Sequence, residues 1–207
     1  MRKSDGGKRY RAVVLLFILL NGAVIGNAQV SYYHQQPEIN DTSTAGSYYN
    51  VTSAALLFGQ GLNTFLPLPS LTTINGYRIN QRLYTGVGLG MEYYEYWVIP
   101  LFGEVRYVTK PGRRTRPFYS FKIGYSFPLQ DYRESETEYS GGFLFSPEIG
   151  LRFRMSSSTS FVLSAGYHYQ HLSYHKTSHN WWSNDLIEST FFTHYNRIAI
   201  RVGFMFK

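Results

Sequence analysis

Apolar and polar positions alternate with a period of two over most of this chain, in segments of about ten residues or more parted by turn-forming residues. Successive side chains of a strand point to opposite faces, so the pattern predicts strands with one apolar and one polar face. The last segment is the clearest. Ile198, Ile200, Val202, Phe204 and Phe206 share one face, and Arg197, Ala199, Arg201, Gly203 and Met205 share the other. At 159–170, Phe161, Leu163, Ala165, Tyr167 and Tyr169 oppose Ser160, Ser164, Gly166, His168 and Gln170. The same split recurs at 142–155, 116–127, 97–108 and 82–94, and more weakly at 48–60 and 71–80. Eight strands are therefore expected.

The two faces decide between architectures. The apolar faces carry rings and branched aliphatics to the strand ends, for example Tyr119, Phe121, Ile123, Tyr125 and Phe127. The opposite faces mix Gly and Ser with charges. A soluble sandwich would turn a Lys-, Glu- and Thr-rich face to water. Large apolar residues on one face with small and charged residues on the other suit a barrel with lipid outside and a narrow polar interior. Tyr and Trp near the strand ends, among them Tyr93, Tyr94, Tyr96, Trp97 and Tyr107, suit interfacial girdles. The expected fold class is all-β: an eight-stranded antiparallel up-and-down transmembrane barrel.

The connections fall into two series. Residues 79–81, 109–115 and 155–158 are the shorter turns. Residues 61–70, 95–96, 128–141 and 171–192 form the other series, which includes the two longest connections expected. Short turns on the periplasmic side and long loops outside would put both termini in the periplasm.

The N-terminus departs from this rhythm. Arg2, Lys3, Lys8, Arg9 and Arg11 precede an apolar run from Ala12 to Leu20, which continues more weakly to Ile25. Gly26-Asn27-Ala28 then offers small residues at −3 and −1 before Gln29. A basic region, a short apolar region and a small-x-small site predict a secretory signal peptide over 1–28, cleaved after Ala28. The run is too short for the ~20 residues of a spanning helix. A polar lead-in at 29–46 and a barrel domain at 47–207 complete the expected organisation.

Composition adds exclusions. The 207 residues include 19 Tyr, 15 Phe, 3 Trp and no Cys, and only 16% are charged. Without Cys there is no disulfide, thiol nucleophile, Cys-ligated metal or lipoprotein anchor. The net charge of +7 owes much to the first eleven residues, so a nucleic-acid partner is not expected.

Several stretches resemble small outer-membrane β-barrel domain proteins of Bacteroides-type bacteria. They are Ile74-Asn75-Gly76-Tyr77-Arg78, Gly86-Val87-Gly88-Leu89-Gly90, Ile99-Pro100-Leu101-Phe102, Pro117-Phe118-Tyr119, Lys122-Ile123-Gly124-Tyr125, Ser146-Pro147-Glu148-Ile149-Gly150 and the ending Arg201-Val202-Gly203-Phe204-Met205-Phe206. The resemblance implies an outer-membrane address and no established chemistry. It implies outer-membrane lipid and lipopolysaccharide as surroundings, and the barrel-assembly machinery as a partner in biogenesis. The aromatic residue that ends many such barrels is here penultimate, before Lys207.

Three sets of residues are candidates for chemistry. Glu92, Glu104, Arg106, Lys122, Glu148, Arg152, Arg154, Arg197 and Arg201 fall on the inward face. They form either a solute pathway or a salt-bridged plug, and eight strands leave an interior just filled by side chains, which favours the plug. Five of six His lie at 168, 171, 175, 179 and 194. On a helix, His171, His175 and His179 would share a face suited to a transition metal, with Asp185 as a fourth ligand; otherwise they are the composition of a polar loop. His171-Leu172-Ser173 resembles the His-x-Ser of outer-membrane lipid A deacylases, but Tyr174 stands where that motif has Asn, and Glu188 is the only guess for an orienting acid. No cofactor is expected. The expectation is a non-enzymatic barrel with a structural or surface-interaction role through loops 128–141 and 171–192; a lipid A-modifying hydrolase and a small-solute channel are the alternatives.

Overall fold

The computed structural model describes residues 46–59, 67–94, 96–109, 114–129, 137–179 and 186–207. The expected segment 1–28 and nearly all of the lead-in lie outside this set. Eight strands run in chain order: β1 Tyr48–Gly59, β2 Leu68–Arg78, β3 Leu83–Tyr93, β4 Trp97–Val108, β5 Thr115–Pro128, β6 in two pieces (Thr137–Ser140 and Gly142–Arg154), β7 Thr159–His179 and β8 Leu186–Phe206. Each pairs antiparallel with the next. β1 pairs with β8, from Asn50↔Phe206 to Gly59↔Arg197, so the sheet closes. Both pieces of β6 pair with β7, and the break falls at Gly141. Around the barrel itself closure leaves no strand with a free edge, which is what lets a sheet stand in hydrocarbon.

Inward and outward residues alternate as the sequence predicts. On β8, Arg197, Ala199, Arg201, Gly203 and Met205 are buried, while Ile198, Ile200, Val202 and Phe204 are exposed. The exposed surface is a belt of large apolar side chains, including Leu101, Val105, Phe121, Ile123 and Ile149. In a water-soluble fold these would be the core; here they are the outer surface. The belt has one polar interruption on β1 and β2. Asn50, Thr52, Thr73 and Asn75 cluster there and satisfy one another, with Asn50 Nδ2 donating to Asn75 Oδ1 at 2.8 Å and to Thr73 Oγ1 at 3.2 Å.

Inward glycines shape the interior. Phe102 of β4 lies in register with Gly88 of β3 and Gly124 of β5. A Cβ at Gly88 would stand 2.5 Å from the Phe102 ring. Gly150 stands opposite Phe118 in the same way, also at 2.5 Å. Bare backbone on the neighbouring strand thus lets two large rings lie against the wall of a narrow barrel. With Tyr49, Ile74, Tyr84, Leu144 and Met205 they form an apolar core inside the barrel.

The connections 79–82, 109–114 and 155–158 gather at one end of the barrel, the turn end; 60–67, 94–96, 129–136 and 180–185 gather at the other, the loop end, where 60–67 and 129–136 are the longest and 94–96 the shortest. At the turn end, Asn80 Oδ1 accepts from the backbone N–H of both Arg82 and Leu83 at 2.8 Å, closing β2 onto β3. At the loop end the sequence expectation needs correcting. The segment 171–192 is mostly strand: β7 runs on to His179 and β8 begins at Leu186. Part of 128–141 is strand as well, since Thr137–Ser140 pairs with β7. β7 and β8 thus form a hairpin of 21 residues a side, paired in unbroken register from Thr159↔Phe206 to His179↔Leu186.

Candidate functional site

The inward charges meet across the barrel. Lys122 on β5 donates to Glu148 Oε1 on β6 at 2.6 Å. Arg201 on β8 donates from Nε to the same oxygen at 3.2 Å and from Nη1 to Thr72 Oγ1 on β2 at 2.8 Å. Ser164 on β7 donates to Glu148 Oε2 at 3.1 Å. One carboxylate therefore links four neighbouring strands, and Arg201 carries the link to the opposite wall. All the side chains in this bridge are buried. A buried carboxylate is tolerable only with such partners, because its desolvation is otherwise unrecovered.

A second layer lies toward the loop end. His168 Nε2 stands 3.4 Å from Glu92 Oε2, and Tyr94 Oη stands 3.0 Å from the same imidazole nitrogen. Ser70 donates to Glu92 Oε1 at 2.9 Å. The guanidinium of Arg197 stacks over the rings of Tyr94 and Tyr195, 5.3 and 5.2 Å from their centroids, and donates to the Leu57 carbonyl. Above it, Leu57, Tyr94, Tyr96, Val98, Leu172 and Tyr195 close the loop end as an apolar cluster.

The turn end is a third layer. Arg106 pairs with Glu104 at 2.8 Å and lies over the Phe118 ring at 4.6 Å. Arg152 donates to Tyr84 Oη at 3.2 Å. Arg78 donates to the backbone carbonyls of Asn80 and Gln81. Arg116 and Arg152 stand directly opposite each other on β5 and β6.

The structure thus brings together eight of the nine inward charges that the sequence singles out. Arg154 is the exception, half-buried at the rim of the turn end. Pairing is not the simple salt-bridge balance the sequence suggests. Among the buried described residues, Arg78, Arg106, Arg116, Lys122, Arg152, Arg197 and Arg201 face only Glu92, Glu104 and Glu148. Phenol oxygens, ring faces and backbone carbonyls serve the rest, at Arg152, Arg197 and Arg78. Sequence reading missed Arg78, Arg116, Tyr84, Tyr94 and Tyr195 as members. Inward parity on their strands was the signal that could have found Arg78, Arg116, Tyr84 and Tyr195; Tyr94 lies just past the end of β3 and, with Tyr96, is buried in the loop-end cluster rather than placed in an interfacial girdle. A cavity of about 10 Å³ lies between Thr72, Glu92, Phe102, Lys122, His168 and Arg201.

The histidines separate. His168 points inward and belongs to the Glu92 layer. His171 points outward from β7, opposite His194 on β8. The helix expected to bring His171, His175 and His179 together is a strand. Four residues of strand span about 13 Å, so successive members lie too far apart on the backbone for a shared ion. The side chains of His175, His179 and Glu188, and all of Asp185, lie outside the described residues. Among the described residues, no three His, Asp or Glu side chains form a metal-sized group. His171 and Ser173 leave the same face of β7 two residues apart, and the His171 ring contacts His194 and Phe192. Among the described contacts of His171 none is with Ser173, the base–nucleophile contact that a hydrolase needs.

No family model matches the chain, and no curated protein matches it. Solved structures do. The crystal structure of Neisserial surface protein A is similar over 80% of this chain and 99% of that one, with a TM-score of 0.54 at 13% identity. The outer membrane protein OprG from Pseudomonas aeruginosa is similar over 78% and 96%, with a TM-score of 0.55 at 8% identity. The N-terminal β-barrel domain of Pseudomonas aeruginosa OprF covers 79% and 100%, with a TM-score of 0.53 at 10% identity. Identities this low speak to fold, and the fold they share with this chain is the small, closed, eight-stranded outer-membrane β-barrel.

Proposed function

We propose that this chain is a non-enzymatic protein of the bacterial outer membrane, a barrel with a filled lumen that acts as a structural or surface-interaction element through its loop end. One observation carries the reading: apolar side chains cover the outside while the charges are buried and interlocked inside. That inversion suits lipid outside and suits neither water nor an open pore. On this reading the turn end faces the periplasm, and the paired β7–β8 hairpin projects as the contact surface. Residues 1–28 serve as the export signal. The glycine- and aromatic-rich strand motifs support membership of the Bacteroides-type barrel family.

The test is electrophoretic. Closed barrels with every backbone group paired resist dodecyl sulfate until heated. The chain recovered from an outer-membrane fraction is expected to migrate differently before and after boiling, and to begin at Gln29. Recovery as a soluble periplasmic protein with a single mobility would overturn the reading.

A further inference from the structure

On the outer face of the β7–β8 hairpin, the rungs pass upward from Ala165↔Ile200 and Tyr167↔Ile198 to Tyr169↔Asn196 and His171↔His194. The first two belong to the apolar belt. In the next two the composition changes to phenol, amide and imidazole. His171 and His194 are direct cross-strand partners, and their Nδ1 atoms stand 3.2 Å apart. Tyr169 reaches diagonally up one rung, its Oη 2.8 Å from His194 Nδ1. All three side chains lie outside the core; His194 is exposed, and His171 and Tyr169 are half-buried. The His171 ring is backed by Phe192, stacked at 5.8 Å.

Hydrogen bonding alone accounts poorly for this convergence. A ring nitrogen of His has a single in-plane site, either a proton or a lone pair. Two partners, Tyr169 Oη and His171 Nδ1, crowd the one site of His194 Nδ1. A shared cation resolves the conflict, because several lone pairs can point at one ion. The spacing also fits. Two metal–nitrogen bonds of ~2.05 Å meeting at a tetrahedral angle hold their nitrogens about 3.3 Å apart.

We propose that His171 and His194 form a surface site for a borderline first-row divalent cation such as Zn²⁺ or Cu²⁺. Both bind through Nδ1, and Tyr169 Oη lies beside them as a third donor, an oxygen. Imidazole nitrogens select these ions over Ca²⁺ or Mg²⁺, which take oxygen ligands. The ion would pin β7 to β8 just above the apolar belt. This site differs in composition from the His171–His175–His179 set, sharing only His171 with it.

Calorimetry of the refolded barrel in a non-chelating detergent buffer at pH 7.5, titrated with Zn²⁺ alone, tests the assignment. Wild type and the variant carrying His175→Ala and His179→Ala are expected to bind one ion per barrel. His171→Ala and His194→Ala are each expected to lose the binding heat while keeping heat-modified mobility, since their side chains pack in no core. With Cu²⁺, the bound ion should show nitrogen couplings from two imidazoles. No binding by wild type would overturn the proposal. So would binding that survives in the His171→Ala, His194→Ala double variant.

Discussion

Lys122 Nζ and Glu148 Oε1 approach to 2.6 Å at the centre of the barrel, with both side chains almost wholly out of solvent. Arg201 shares the same carboxylate oxygen. Two cations on β5 and β8 therefore depend on one anion on β6. Removing the anion takes that carboxylate from both in a low-dielectric interior, whereas removing one cation leaves the carboxylate the other cation and the Ser164 hydroxyl.

Glu148→Gln is expected to cost about 3–5 kcal/mol, the usual penalty for breaking a buried pair from one side. Urea titration of the refolded barrel, followed by tryptophan fluorescence, should show a clear drop in the midpoint. Replacing the pair together, Lys122→Met with Glu148→Leu, should cost less than Glu148→Gln alone. An unchanged midpoint for Glu148→Gln would show that the bridge contributes no stability.

The Gly88–Phe102 contact makes a steric prediction. Gly88→Ala puts a Cβ 2.5 Å from the ring, and overpacking of this kind costs about 1–3 kcal/mol. Phe102→Leu in the same chain should recover part of the loss. Gly103→Ala serves as control, since a Cβ there meets nothing within 4 Å, and it should stay within about 0.5 kcal/mol of wild type. Equal stability of Gly88→Ala and Gly103→Ala would rule out the packing account.

Orientation follows from which end carries the longest connections, 60–67 and 129–136, and the extended β7–β8 hairpin. The chain has no cysteine, so single cysteines report cleanly. Ser135→Cys, between β5 and β6, should react on intact cells with an impermeant maleimide. Ser157→Cys, exposed in the turn between β6 and β7, should react only after the outer membrane is breached. Intact cells that label through the Ser157→Cys variant and not through Ser135→Cys would mean that the barrel is threaded the other way.

The strand count, the inward and outward parity and most of the inward charges were legible in the sequence, because period-two alternation is a local signal. Met205 and Phe204 fall on opposite faces whatever the rest of the chain does. The long β7–β8 hairpin was not legible. The composition of 171–192, rich in His, Ser, Asn and Trp, reads as loop, and only the pairing of 171–179 with 186–194 makes those two stretches strand. The site partners were hidden for a similar reason. Tyr84 with Arg152 and Arg197 with Tyr94 meet across the lumen from strands far apart in sequence. The His171–His194 rung needs the register of two strands before either residue gains a neighbour.

Side chains fill the lumen of this barrel. Its walls converge on the Glu148 bridge, and the loop end is closed by Tyr94, Tyr96, Tyr195 and Leu172. The cavity near 10 Å³ has room for about one water molecule. Single-channel recording of the refolded wild-type chain in a planar bilayer tests this most directly. A filled lumen gives a silent membrane with no discrete conductance steps, whereas reproducible open levels from the wild-type protein would show that the lumen conducts.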